Sequence, residues 1–332
     1  MMKTLPVLLL VLLTGCASPP TAPVVSILLD LDPASADRTT IIESITADRN
    51  GVLFTADRVT GNVLRIDPKA PKAVVVVVAK IEARDIQGKK VNPDPGGIAF
   101  NAAGDLFVTA GPFAEIVRFS GADLAAGKPA LAQTFATGVP GANGIAFDRQ
   151  GQLFVSGGAS GVVYRVAPGG GAGQVAAQIE RSTRTLPDGK AQQAIVANGI
   201  EFDAQGVLHV ADTSRGAVWK VAMGADGIAT KPVLLVQSAL LEGADGLAFD
   251  RSGNLWIAAN ERNAIVSVSP SGEAKDVTQN DSKGPLEFPS ALVFVGDTAY
   301  ISNFDVPRRV NMDAGGSTAR DGVGASIAKI SR

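Results

Sequence analysis

The sequence predicts an all-β protein, a six-bladed β-propeller whose ring is closed by its own N-terminal strand. Three observations carry that expectation. Val-rich runs broken by Gly, Asp and Asn show no sustained helical period. One strand–turn–strand unit recurs six times, and the last copy is one strand short until the N-terminal strand is added.

The ring begins after a leader. Lys3 precedes the apolar run from Leu5 to Leu13, far shorter than the roughly 20 residues a membrane helix needs. Residues 1–15 therefore read as a signal peptide. Leu13-Thr14-Gly15-Cys16 resembles a bacterial lipobox, which implies a lipid on Cys16. Cys16 is the chain's single cysteine, so no internal disulfide can form. Residues 16–23 read as anchor and stiff Pro-rich tether, and residues 24–332 as the propeller. By the same resemblance, Ala17 and Ser18 point to the periplasmic side of the outer membrane. Net charge is −2 with the signs interspersed, which leaves no footprint for nucleic acid. A monomer attached to the membrane only through its lipid is expected.

The repeats start at Glu43, Gly96, Asn143, Asn198, Asp245 and Ser290, with successive gaps of 53, 47, 55, 47 and 45 residues. A typical copy is Asn143-Gly-Ile-Ala-Phe-Asp-Arg-Gln-Gly-Gln-Leu-Phe154. It reads as a strand, a Gly turn with positive φ, and a second strand. Two weaker strands follow, such as Asn62 to Asp67 and Ala73 to Ile81, so each copy is one propeller blade. After the sixth copy only one strand fits, about Ala325 to Ser331. Val24 to Leu31 supplies the missing fourth and leaves no open edge. The two widest gaps place extra residues in Glu82 to Pro95 and Arg181 to Val196, on the face where first strands begin.

That face gathers the chemistry. Asn-Gly and Asp-Gly, taken singly, are turn pairs. A ring, however, brings equivalent positions to one axis, so Glu43, Asn143, Asn198 and Asp245 converge. Two carboxylates and two amides carry two negative charges, which a divalent cation neutralises. An all-oxygen set suits Ca²⁺ over zinc. His209, the only histidine, occupies a strand-two slot held elsewhere by Phe54, Phe107, Phe154, Trp256 and Tyr300. It reads as a packing residue, which argues against histidine-dependent chemistry. Arg58, Arg215 and Arg262 lie on loops of the same face and are weak candidates to grip a substrate.

Glu43, Asn143, Asn198-Gly199-Ile200 and Asp245-Gly246-Leu247, set in the six-fold repeat, resemble the gluconolactonase, senescence-marker-protein and luciferin-regenerating-enzyme-like family. The resemblance spans about residues 24–332 and extends to diisopropyl fluorophosphatase. It implies that these four residues bind a metal, usually calcium. It also implies that Asp245 serves as general base or nucleophile in hydrolysis of a small lactone or related ester. Glu43-Ser44-Ile45 departs from the Glu-Gly-Pro common in the family, and the family's substrate-gripping Arg and Asn of the third blade have no match. Val207 to Thr213 also resembles NHL-type propellers. A non-catalytic envelope propeller that binds a protein or glycan is therefore the alternative.

Overall fold

The computed structural model describes residues 23–31, 39–127, 129–185, 189–224, 229–281, 284–305 and 325–331. The expected signal peptide, Cys16 and all of the tether except Pro23 lie outside them, as do residues 32–38 and 306–324.

Six four-stranded antiparallel sheets form the blades. Blade one is Ile42–Ala47, Leu53–Asp57, Asn62–Ile66 and Val75–Lys80. The first strands of the next four blades are Ile98–Phe100, Ile145–Phe147, Ile200–Phe202 and Ala244–Phe249. Blade two gains a short fifth strand, Gly171–Ala172, parallel to its outer strand Gln133–Thr137. Blade six combines Pro289–Val295, Thr298–Asn303 and Ser326–Ser331 with the N-terminal Val24–Asp30, which pairs from Val24↔Ser331 to Asp30↔Ser326. The expected closure is thus observed. The regular exceptions to strand are few: one short helix, Gly121–Ala125, and three single 3-10 turns among the described residues.

The hairpin turns are built as their residues require. Gly151 sits at φ +78°, while the Asp148 carboxylate accepts hydrogen bonds from the Gln150 and Gln152 backbone N–H groups at 2.9 and 2.8 Å. Asp48, Asp203 and Asp250 make the same pair of bonds in their blades. Each turn therefore fixes the register of strands one and two through local contacts.

Neighbouring blades interlock through edge-to-face rings between strand two of one and strand one of the next. The pairs are Phe54–Phe100, Phe107–Phe147, Phe154–Phe202, His209–Phe249 and Trp256–Phe294, with centroids 5.0–5.1 Å apart. His209 is one member of that series. It is buried, its pKa is pushed down by burial, and Nδ1 lies 3.2 Å from the Val207 carbonyl. Its role is packing, as its slot in the repeat implies.

Candidate metal centre

The glycine after Asn143, Asn198 and Asp245 is not there for a turn. Asp245 lies inside a strand, and Gly144, Gly199 and Gly246 all have negative or extended φ. What they provide is closeness. A Cβ on Gly199 would lie 2.4 Å from the Asp245 carbonyl oxygen, and one on Gly144 would lie 2.7 Å from that of Asn198. First strands of adjacent blades touch backbone to backbone, so the side chains at the preceding position are drawn together at the axis. Hydroxyls at or just past the ends of second strands lock this approach. Ser156 donates to the Asn198 carbonyl, Thr213 to Ala244 at 2.6 Å, and Ser302 to Glu43 at 2.9 Å. Ser290, the column member of blade six, also donates to the Glu43 carbonyl and is a latch rather than a ligand.

Glu43, Asn143, Asn198 and Asp245 stand close to one another. Asn143 hydrogen-bonds the Glu43 carboxylate, Asn198 hydrogen-bonds Asp245, and the charges of Glu43 and Asp245 act on each other. The Asp245 carboxyl is buried, the Glu43 side chain is 12% exposed, and both carboxyls are pushed above the ordinary carboxylate range. Burial is the main cause for each. For Asp245, whose rise is the larger, the Glu43 charge is the second cause.

Behind the first column stands a second one. Fifteen residues after each of the first five column positions, just past strand two, come Arg58, Gly111, Gly158, Thr213 and Asn260. Each polar member holds the column residue of its own blade. Arg58 Nη1 donates to Glu43, Asn198 Nδ2 donates to Thr213 at 3.0 Å, and Asn260 Nδ2 donates to Asp245 Oδ2 at 3.0 Å. The Asn260 carboxamide lies against Gly243, where a Cβ would come within 2.1 Å of Oδ1. Sequence reasoning missed Thr213 and Asn260 as site residues. The repeat alignment that found the first column would have found them if carried fifteen positions further.

Asp94 was also missed. The Asn92-Pro93-Asp94-Pro95 segment holds it in the left-handed region at φ 47°. Its carboxylate grips Arg58 in two-pronged fashion, Oδ1 to Nε and Oδ2 to Nη2, each at 2.6 Å. Arg58 also lies over the Phe304 ring at 5.3 Å from its centroid. Burial works against the guanidinium charge, but Glu43 and Asp94 hold its pKa above the usual value. The first long insertion, which forms the hairpin Arg84–Ile86/Lys89–Val91, thus reaches the mouth through Asp94. The second forms the hairpin Thr183–Thr185/Ala191–Gln193 and is tied to the same face by Arg215 Nη2, which donates to the Glu180 and Arg181 carbonyls.

Those contacts correct the view of the arginines. Arg215 is held by Asp212 and the insertion backbone, and Arg262 by Asp276, Gln279 and the Leu240 carbonyl of outer elements. Neither guanidinium is left for the mouth. Of the three candidates, only Arg58 reaches the column.

The donor chemistry fits a hard divalent cation. Asp94 balances Arg58, so Glu43 and Asp245 still leave two uncompensated negative charges among amide oxygens. Among the described residues no three His, Cys, Asp or Glu side chains cluster in metal-ligand fashion. The column would rely on amides for half its donors.

Residues 184–303 match the SMP-30/Gluconolactonase/LRE-like region. The resemblance read from the repeats is shown there, over the stretch that holds Asn198 and Asp245. No curated protein matches the chain. Among solved structures, a luciferin-regenerating enzyme shares the ring at 17% identity and TM-score 0.61, over 94% of this chain and 96% of its own. A virginiamycin B lyase from Staphylococcus aureus does so at 13% and 0.56, covering 93% and 99%. Regucalcin from Agrobacterium tumefaciens, described as a calcium-binding protein, matches at 16% and 0.60 over 92% and 94%. At such identities the likeness is one of fold, and lyase, calcium-binding protein and enzyme share it.

One further carboxylate lies in the ring. Glu201 stands where other blades carry Thr46, Ala99, Ala146, Ala248 and Val293. Burial pushes its pKa up to about 7, against one hydrogen bond from the Phe202 N–H at 3.0 Å. A carboxyl whose pKa is raised by folding weakens the fold as it ionises. Stability should fall as pH rises between the unfolded value near 4.5 and about 7. Glu201→Gln keeps the acceptor and removes the charge. We expect it to raise unfolding free energy at pH 8 by on the order of 2 kcal/mol and to leave it unchanged at pH 4. Denaturant titrations of both proteins at the two pH values check this, and equal differences at both would refute it.

Proposed function

We propose that this propeller hydrolyses a small lactone or related ester at a divalent cation, Ca²⁺ by preference, held by Glu43, Asn143, Asn198 and Asp245. One observation supports the reading above others. Two carboxylates from blades one and five, Asp245 buried and Glu43 largely so, share a single electrostatic field with two amides at the mouth, an arrangement that calls for a cation. The matched family region favours the lactone as substrate class.

The bound cation would supply polarisation of the substrate carbonyl and stabilisation of the developing oxyanion. The remaining work falls to side chains. Asp245 is fixed by Asn260 on one side and Asn198 on the other, so one carboxylate oxygen has a constant direction. It takes the proton from an attacking water, or attacks the carbonyl itself. Its buried position makes it a stronger base than an exposed carboxylate. Glu43 serves mainly as a charged ligand.

The test uses the purified chain, a panel of lactones and aryl esters, and a chelator. Chelation should abolish turnover and lower the melting temperature reversibly. At a hundredfold excess of Ca²⁺ over its dissociation constant the fold should gain about 2.7 kcal/mol. Absence of any thermal shift with Ca²⁺ defeats the metal reading. A clear shift with no turnover on any substrate favours the non-catalytic propeller instead.

A further inference from the structure

Arg58 is the anomaly of the second column. Where blades four and five support their column residue with a neutral group, Thr213 or Asn260, blade one uses a cation. That cation is bonded to Glu43, one of the two charged donors the site would offer a metal, and its charge also acts on Asp245. The guanidinium has a second home. Nε and Nη2 are both on Asp94, and only Nη1 reaches Glu43. Breaking the single bond to Glu43 leaves the two-pronged pair with Asp94 and the contact over Phe304 intact.

We propose that Arg58 is an internal competitor for the cation site: it occupies Glu43 when no divalent ion is bound, and the ion displaces it onto Asp94. The proposal deepens the metal reading above and rests on it. Two consequences follow. The cation binds more weakly than the four donors alone would allow, because Glu43 has to be taken from Arg58. The first insertion, through Asp94, also helps to set that affinity, since it supplies the resting place for the displaced guanidinium. The Nη1 donors freed in the bound state lie beside Glu43.

The experiment separates competition from simple charge. In wild-type protein, Arg58→Met, Asp94→Asn and the double variant Arg58→Met/Asp94→Asn, Ca²⁺ affinity is measured by isothermal titration and by thermal shift. The double variant removes one positive and one negative charge, so the net charge of the mouth is unchanged. Competition predicts that it still binds Ca²⁺ about tenfold more tightly than wild type, since no guanidinium remains on Glu43. Asp94→Asn alone should bind several-fold more weakly, because the guanidinium loses its resting place. Should the Met variants fail to fold, Arg58→Gln/Asp94→Asn, which keeps a polar pair, serves the same comparison. A double variant that binds no more tightly than wild type overturns the competition while leaving the metal site standing. Failure of both wild type and double variant to bind Ca²⁺ overturns the metal reading and the competition together.

Discussion

Asp245→Asn should leave the protein folded and able to bind Ca²⁺, yet hold hydrolysis down by roughly 10²–10⁴-fold at saturating ion, the usual contribution of a positioned base. The substitution keeps the side-chain volume and one carbonyl oxygen, which can still accept the hydrogen bond from Asn260 Nδ2. It removes the charge and the basic oxygen. If Asp245 were only a ligand, affinity for Ca²⁺ would fall and excess ion would restore the rate. If it is base or nucleophile, excess ion restores binding and not the rate. A second readout comes from the empty site. Glu43 and Asp245 repel across a buried mouth, and the carboxyl of Asp245 is raised well above its ordinary value for that reason after burial itself. Removing one of two buried like charges should raise the melting temperature of the chelated protein. A variant less stable without metal, and fully active with it, would count against both parts.

The ring and the first column were legible because both depend on repetition. Six copies of a Gly turn with alternating strands specify blades whatever else the chain carries, and the count of strands left only residues 24–31 to close the last one. Convergence of Glu43, Asn143, Asn198 and Asp245 followed from equivalence of position alone. What was hidden depended on contacts that no pattern repeats. Asp94 sits in an insertion that only blade one precedes, and its partner Arg58 lies 36 residues earlier. The pairs Asn-Gly and Asp-Gly carried a misleading local meaning. Turn propensity explains such pairs in isolated loops, whereas here Gly199 is needed because the next blade's backbone occupies the space of a Cβ. The arginines misled for a related reason. A loop position fixes the face of the ring but not the direction of a long side chain, and Arg215 and Arg262 turn to carbonyls and carboxylates of their own blades and insertions.

Deletion of residues 24–31 should prevent formation of a stable monomer. The strand contributes every one of its backbone bonds to a single partner, Ser326–Ser331, which would become a bare edge beside the junction of blades six and one. Its side chains also close two cores. Leu28, Leu29 and Leu31 pack with Ile42, Leu53 and Ile327, while Val25 packs with Ile301 and Ile330. These apolar groups are half-buried, so each contributes about 1 kcal/mol or somewhat more. Together with the lost ladder they amount to a large part of the 5–15 kcal/mol by which a domain is typically stable. The remaining chain would be an open arc of blades with an unpaired strand at its end, a template for pairing with another copy. Light scattering and thermal melts of the deletion should therefore show aggregation and loss of the cooperative transition. A synthetic peptide of residues 23–31 should restore monomer by adding to the vacant edge, as strands do in β-augmentation. A deletion protein that stays monomeric with an unchanged melting temperature would mean that the ring does not depend on its N-terminal strand.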